Sequence, residues 1–309
     1  MERICTLNTE NNLVGSADPD WSGRFSLRPQ NQLKPLYNTA MQPYDDDLTR
    51  FDSQGALPLP ETQQTGYVEH DGARIWYSSC GSGIPLILLH GGLGHSGNFG
   101  WQIPALVKHG YRAVLIDSRG HGHSTRDARP YTYLQMAADV RAVMDNLHIQ
   151  RAALAGWSDG ACTALILAHQ TPERVTGVFF FACNMDPSGA KVIQEYGPTL
   201  QHCISRHKKD YAQLSPTPDD FQSFSDAVGR MQRTQPDYSA ADLACINLPV
   251  AIVHSQHDEF ILREHAEYLA RSLPAAQFID LPEVSHFAPL QRPDLFNSAL
   301  LTFLGSLQP

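Results

Sequence analysis

The stretch Arg151-Ala152-Ala153-Leu154-Ala155-Gly156-Trp157-Ser158-Asp159-Gly160-Ala161-Cys162-Thr163-Ala164-Leu165-Ile166-Leu167-Ala168-His169 decides how this chain is read. A short apolar run leads into Gly-Trp-Ser-Asp-Gly, and a longer apolar run with good helix formers leaves it. Ser158 is the only serine with glycine at both −2 and +2. A serine held at a sharp turn between a buried strand and a helix needs small neighbours, because its backbone is strained and its hydroxyl must stand clear of the main chain. The stretch therefore predicts a strand, a nucleophile elbow and a helix.

Matching partners lie downstream. The apolar run Pro249-Val250-Ala251-Ile252-Val253 leads into Asp258, and Gln277-Phe278-Ile279-Asp280-Leu281 leads into His286. A serine hydroxyl is a weak nucleophile at neutral pH. It needs an imidazole to take its proton and a carboxylate to fix the imidazole's tautomer and stabilise its charged form. Ser158, His286 and Asp258 supply these roles in the chain order Ser, Asp, His, and the last two lie just past strand C-terminal ends, where open α/β sheets place their sites. Upstream, Ile84-Pro85-Leu86-Ile87-Leu88-Leu89 ends in His90-Gly91-Gly92-Leu93-Gly94. Acyl transfer builds a tetrahedral oxyanion, and each backbone donor aimed at it lowers the barrier by roughly 3–4 kcal/mol. Gly92 and Asp159 are the expected donors; Leu93, Trp157 and Asp159 are assigned to substrate binding. The glycine run lacks both the Lys-Ser/Thr ending of a P-loop and the Gly-x-Gly-x-x-Gly spacing of a dinucleotide site.

From about Gly66 to Pro309 the chain resembles the α/β-hydrolases. The resemblance rests on His90-Gly91-Gly92, on Asp117-Ser118-Arg119-Gly120-His121-Gly122-His123-Ser124 after the next strand, on the elbow, and on the late Asp258 and His286. It implies an α/β-hydrolase fold: a mostly parallel eight-stranded sheet with helices on both faces and a helical cap. Within that superfamily, Gly-Trp-Ser-Asp-Gly followed by a helix is similar to the valacyclovir hydrolase (biphenyl hydrolase-like) group of serine hydrolases, which cleave α-amino-acid esters. That likeness implies that the Asp159 carboxylate holds a substrate ammonium. An acidic residue in the first turn of a helix is also favourable by about 0.3–1 kcal/mol with no substrate role, so two readings of Asp159 stand. Ala161 departs from the group's second glycine, and the segment after Asp186, up to Ala244, carries no family signature.

The pattern places strands near 66–70, 74–79, 85–89, 112–116, 151–156, 176–182, 249–254 and 276–281, with Asp71-Gly72 as a hairpin turn. Helices are expected over 133–144, 161–169, 263–273 and 290–304. Residues 61–183 and 245–309 form the expected core. The insertion 184–244 is expected to be a cap, with amphipathic segments at 188–196, 200–214 and 219–234 that shape specificity. Residues 1–60 are rich in Asn, Gln, Asp, Ser and Pro and lack a sustained period. They read as an extension outside the core whose composition favours disorder over a segment that wraps the body through Trp21, Phe25, Leu27 and Tyr37, with Met41 an alternative start.

With 42% hydrophobic and 18% charged residues, 309 positions can bury one large core. A formal charge of −9 disfavours nucleic acid and anionic membranes as partners, since both need basic surface. Asp45-Asp46-Asp47 and Asp219-Asp220 read as solvated loops and caps. Cys5, Cys80, Cys162, Cys183, Cys203 and Cys245 form no Cys-x-x-Cys or zinc spacing. This usage suits a cytoplasmic location, and neither a metal nor a cofactor is expected. No apolar run reaches the ~18 residues of a membrane span. The expected partner is a small-molecule substrate; homo-oligomerisation is left open. The expected chemistry is carboxylic ester cleavage through an acyl-enzyme on Ser158. The same three residues serve equally in a lactonase, an amidase or a carbon–carbon bond hydrolase, or persist in a ligand receptor on this fold.

Overall fold

A computed structural model describes residues 48–193 and 195–307. Along the chain run α1 (Thr49–Gln54), β1 (Gln64–His70), β2 (Ala73–Cys80), β3 (Ile84–Leu89), α2 (Ile103–Lys108), β4 (Tyr111–Ile116), α3 (Tyr133–Asn146), β5 (Ala152–Trp157), α4 (Asp159–Gln170) and β6 (Val175–Phe181). There follow α5 (Pro198–Leu214), α6 (Phe221–Thr234), α7 (Ala240–Ala244), β7 (Val250–His257), α8 (Arg263–Ser272), β8 (Ala276–Ser285), α9 (Ala288–Gln291) and α10 (Pro293–Ser306). The strands form one eight-stranded sheet in the order β1-β2-β4-β3-β5-β6-β7-β8. Strand β2 runs antiparallel to β1 and β4; from β4 to β8 every pair is parallel.

A parallel sheet reached by helical crossovers is covered on both faces, so its strands are apolar throughout rather than alternating. All six residues of β5 are buried. Successive side chains point to opposite faces. Ile87, Leu89, Leu154, Val178, Phe180 and Ile252 pack with α3 and α4, whereas Leu86, Leu88, Ala153, Ala155, Phe179 and Val253 pack with α2 and α10. Asp71 and Gly72 both adopt positive φ (45° and 80°), the backbone that a two-residue hairpin between β1 and β2 requires. All eight strands match their expected positions, with β7 and β8 extended toward the site to His257 and Ser285.

Three local expectations are corrected. Residues 48–60, assigned to the extension, pack on the body: Leu48 and Phe51 are buried, and Asp52 meets His202 (3.3 Å) and Lys209 (2.7 Å) on α5. A six-residue helix is too short to show a period in sequence. The remainder of the extension, including Met41, lies outside the described residues. Within 188–196, the described residues 190–193, 195 and 196 lie in no helix. One turn at Pro187–Gly189 gives way to extended chain, and Ala190 bridges antiparallel to Ile261. The expected helix over 290–304 is two helices, because Pro293 lacks the amide that would continue α9 and instead starts α10. Among the described residues no helix is long and apolar enough to cross a membrane.

Candidate active site

The C-terminal ends of β3, β5, β7 and β8 converge on one cavity of about 910 Å³. Ser158 caps β5 at φ 53° and ψ −123°, a left-handed backbone that costs a non-glycine residue of order 1–3 kcal/mol and turns the chain directly into α4. The flanking glycines are steric requirements. A Cβ on Gly156 would lie 2.3 Å from the Gly160 carbonyl oxygen, and one on Gly160 would lie 2.1 Å from that of Leu89. The Ser158 amide is held by the Phe181 carbonyl of β6 (2.8 Å).

His286 follows β8 and is buried. Its Nδ1 lies 3.0 and 3.1 Å from the two carboxylate oxygens of Asp258, so Nε2 is left for the reaction. Asp258 Oδ1 also accepts the amides of Phe260 (2.8 Å) and Ile261 (2.9 Å). Burial alone would raise the Asp258 carboxyl; the facing imidazole and these hydrogen bonds outweigh it and hold the group below its ordinary range. Burial likewise opposes a charged His286, but the Asp258 carboxylate, with Glu259 and Asp159 beyond, shifts it above its ordinary value. Ser158, His286 and Gly92 all line the cavity.

The loop after β3 is braced from behind. His90 Nδ1 donates to the Gly91 carbonyl (2.8 Å), and its Nε2 accepts the Ser118 amide (3.0 Å), which fixes one neutral tautomer; burial keeps its pKa low. Leu93 takes φ 63°. A Cβ on Gly91 would stand 3.2 Å from the Ser158 Cβ, so the loop passes close over the serine. Asp159 opens α4, whose first turn is closed by the Ala161 amide donating to the Ser158 carbonyl (2.7 Å). Gly92 and Asp159 both line the cavity together with Ser158.

The structure brings the candidate site residues Ser158, Gly92, Leu93, Trp157, Asp159 and His286 to one cavity, with Asp258 against His286. Leu93 and Trp157 line the cavity, and Trp157 packs edge-on against Phe287 at 5.9 Å. The Asp159 carboxylate is buried, accepting the Tyr133 hydroxyl (2.7 Å) and the Gln232 amide Nε2 (3.1 Å to both oxygens). Burial raises its pKa against these two neutral donors. Tyr133, Gln232 and Glu259 went unread in the sequence. Tyr133 and Gln232 lie on α3 and α6, far from any motif. Glu259 adjoins Asp258, and its place in the same post-strand turn is the signal that could have found it. Cys183, expected as a core residue, also lines the cavity, with its Sγ 2.8 Å from that of Cys162.

Residues 84–202 match the family described as the alpha/beta hydrolase fold. Serine hydrolase BPHL of Mus musculus is 26% identical over 247 residues, covering 76% of this chain and 84% of that protein. A 2-hydroxy-6-oxononadienedioate/2-hydroxy-6-oxononatrienedioate hydrolase of Paraburkholderia phymatum is 29% identical over 263 residues, covering 75% and 91%. Among solved structures, a meta-cleavage product hydrolase from Pseudomonas fluorescens shares the fold with a TM-score of 0.68 at 20% identity, over 79% of this chain and 98% of that one. An N-acyl homoserine lactone degrading enzyme superposes with a TM-score of 0.63 at 26% identity, over 77% and 100%. By its sheet order and its matched segment this chain has the α/β-hydrolase fold, and the proteins it is similar to are hydrolases.

Proposed function

We propose that the chain is a serine hydrolase that cleaves a carboxylic ester of a small molecule through an acyl-enzyme on Ser158. The observation that carries this reading is the meeting, in one cavity, of an elbow serine, a buried histidine held by a carboxylate, and the residues Gly92 and Asp159. Ser158 Oγ attacks the carbonyl carbon as its proton passes to His286 Nε2. The Gly92 and Asp159 amides receive the oxyanion, and the departing alcohol takes the proton from His286. Water, deprotonated by the same imidazole, then releases the acid.

The sign of the pH dependence follows. Protonated His286 cannot accept the serine proton, so kcat/KM is lost as pH falls through the histidine's pKa. Because the carboxylates around His286 raise that pKa, the midpoint should lie above the usual value of about 6.5. A stopped-assay profile of kcat/KM from pH 5 to 9 checks this, and a midpoint near 5 would contradict it.

The acyl group we assign is α-aminoacyl. Asp159 is a cavity-lining carboxylate whose hydrogen-bond partners, Tyr133 and Gln232, are both neutral. A substrate ammonium would supply the missing positive charge. In Asp159→Asn, kcat/KM for an α-aminoacyl ester should fall about 10–100-fold, the loss of a charged hydrogen bond of roughly 1.5–3 kcal/mol, while the des-amino ester is spared. Equal losses on both esters would leave Asp159 as a well-placed helix-terminal acid. The carbon–carbon bond hydrolase and the lactone-degrading enzyme among the similar proteins sustain a second reading with the same three residues. Rates on lactones, amides and vinylogous diketones beside p-nitrophenyl and aminoacyl esters, in wild type and Ser158→Ala, rank these classes directly.

A further inference from the structure

The turn after β7 grips the histidine at three points. Asp258 takes the ring Nδ1, the Phe260 ring stands edge-on to the imidazole at 4.6 Å, and Glu259 Oε2 accepts the backbone amide of His286 at 2.9 Å. The turn is itself clamped by the start of the cap. Lys191 N donates to the Phe260 carbonyl (2.6 Å), Leu262 N to the Gly189 carbonyl (2.9 Å), and Lys191 Nζ to the Asp258 carbonyl (2.6 Å). The proton path described above uses Asp258 and His286 alone and leaves Glu259 without a task. A half-buried carboxylate is costly to keep charged, and burial raises its pKa. A carbonyl or a water could satisfy one backbone amide at lower cost.

We propose that Glu259 is a positioning residue for the proposed catalytic base, its carboxylate fixing the His286 main chain while its negative charge favours the imidazolium that forms when Ser158 is deprotonated. This rests on the reading of His286 as that base. The charged groups facing the ring are Asp258 and Glu259 from the turn and Asp159 from the start of α4; Trp157, Phe260 and Phe287 supply its aromatic surroundings. Lys191 is committed to the Asp258 carbonyl. Glu259 thus adds a second negative charge from the same turn, on the backbone side of the histidine.

Two variants separate the contact from the charge. Glu259→Gln keeps an oxygen for the His286 amide and removes the charge; Glu259→Ala removes both. The midpoint of the His286 imidazole, followed by NMR through its Cε1–H resonance and assigned with His286→Ala, should fall by about half a unit to one unit in both variants, the direction expected when a neighbouring carboxylate is lost. The acid limb of kcat/KM should move with it. Plateau kcat should fall about tenfold in Glu259→Ala with KM nearly constant, the sign of a misplaced reacting group, and Glu259→Gln should restore most of that loss. An NMR midpoint in Glu259→Gln equal to wild type overturns the electrostatic part, and a full plateau in Glu259→Ala overturns the positioning part. The NMR titration needs no substrate. A shifted midpoint in a protein inactive on every ester would therefore fault the functional reading and leave only the electrostatic coupling of Glu259 to His286 standing.

Discussion

Ser158→Ala is expected to lower kcat on an activated ester by a factor on the order of 10⁴–10⁶, and His286→Ala by a similar factor, with the double variant little worse than either. The non-additivity is the informative part. Once the serine oxygen is gone the histidine has no proton to accept, and without the histidine the hydroxyl stays protonated and weakly nucleophilic. What survives is rate enhancement from binding and from the two backbone donors, which neither substitution touches. Steady-state kcat for the three variants, with far-UV circular dichroism to confirm folding, decides the matter; losses that multiply would mean two independent roles. Asp258→Asn should cost less, on the order of 10⁴, because Glu259 and Phe260 still hold the histidine on its backbone and ring-face sides. If Asp258→Asn were silent, the nearby carboxylates Asp186 and Asp280 would offer poor substitutes. Asp280 is bound by Arg263 at 2.7 Å, and Asp186 lies 3.7 Å from His265.

Much of this site is legible in sequence because the elements that carry it are steric necessities. Gly156 and Gly160 have no room for a Cβ, so the elbow writes itself as Gly-x-Ser-x-Gly. The strands of a doubly covered sheet must be apolar along their length, so they stand out from the polar connections. The site residues follow because each sits at the end of such a strand. What stays hidden depends on long-range packing. Gln232 reaches Asp159 across 73 positions, from a cap helix whose sequence shows only an amphipathic face. Tyr133 sits at the start of α3, where an aromatic residue reads as core, and it is buried there while its hydroxyl points at Asp159. Residues 188–196 misled through composition: their polar and apolar residues mix as in a helix, yet the backbone at Gly189–Lys191 is taken up by pairing Ala190 with Ile261 and by hydrogen bonds to Phe260 and Leu262. Similarly, α1 is anchored by Leu48 and Phe51 and by ion-pair contacts to α5, none of which a local pattern reveals.

Arg119→Ala should destabilise the protein by roughly 3–5 kcal/mol, the cost of leaving a buried charge without its partner. The Arg119 guanidinium is fully buried beneath the loop that follows β4 and makes a two-pronged contact with Asp139 of α3, Nε at 2.7 Å and Nη2 at 2.6 Å; His70 Nδ1 reaches the same carboxylate at 2.7 Å. Among the described residues its remaining Nη1 has no hydrogen-bond partner, so the arginine already bears part of its desolvation cost uncompensated. Removing it leaves the buried Asp139 carboxylate with the half-exposed His70 ring in place of a guanidinium. The unfolding free energy from urea titration should therefore drop sharply in Arg119→Ala and in Asp139→Ala, whereas Arg119→Met combined with Asp139→Leu should recover most of the loss, since both charges leave together and the volume is kept. If the double variant were as unstable as either single one, shape rather than charge would explain the site. The consequence reaches the proposed chemistry through one short path. Arg119 anchors the segment 117–124, in which Asp117 accepts the amides of Ser96 and His123 (2.8 Å each) and Ser118 N donates to His90 Nε2. His90 in turn holds the Gly91 carbonyl one residue before the Gly92 donor. A buried ion pair far from any substrate thus bears on where an oxyanion donor points. In Arg119→Ala, measured well below its melting temperature, kcat should therefore fall more than KM changes, and the Arg119→Met/Asp139→Leu variant should regain stability before it regains rate.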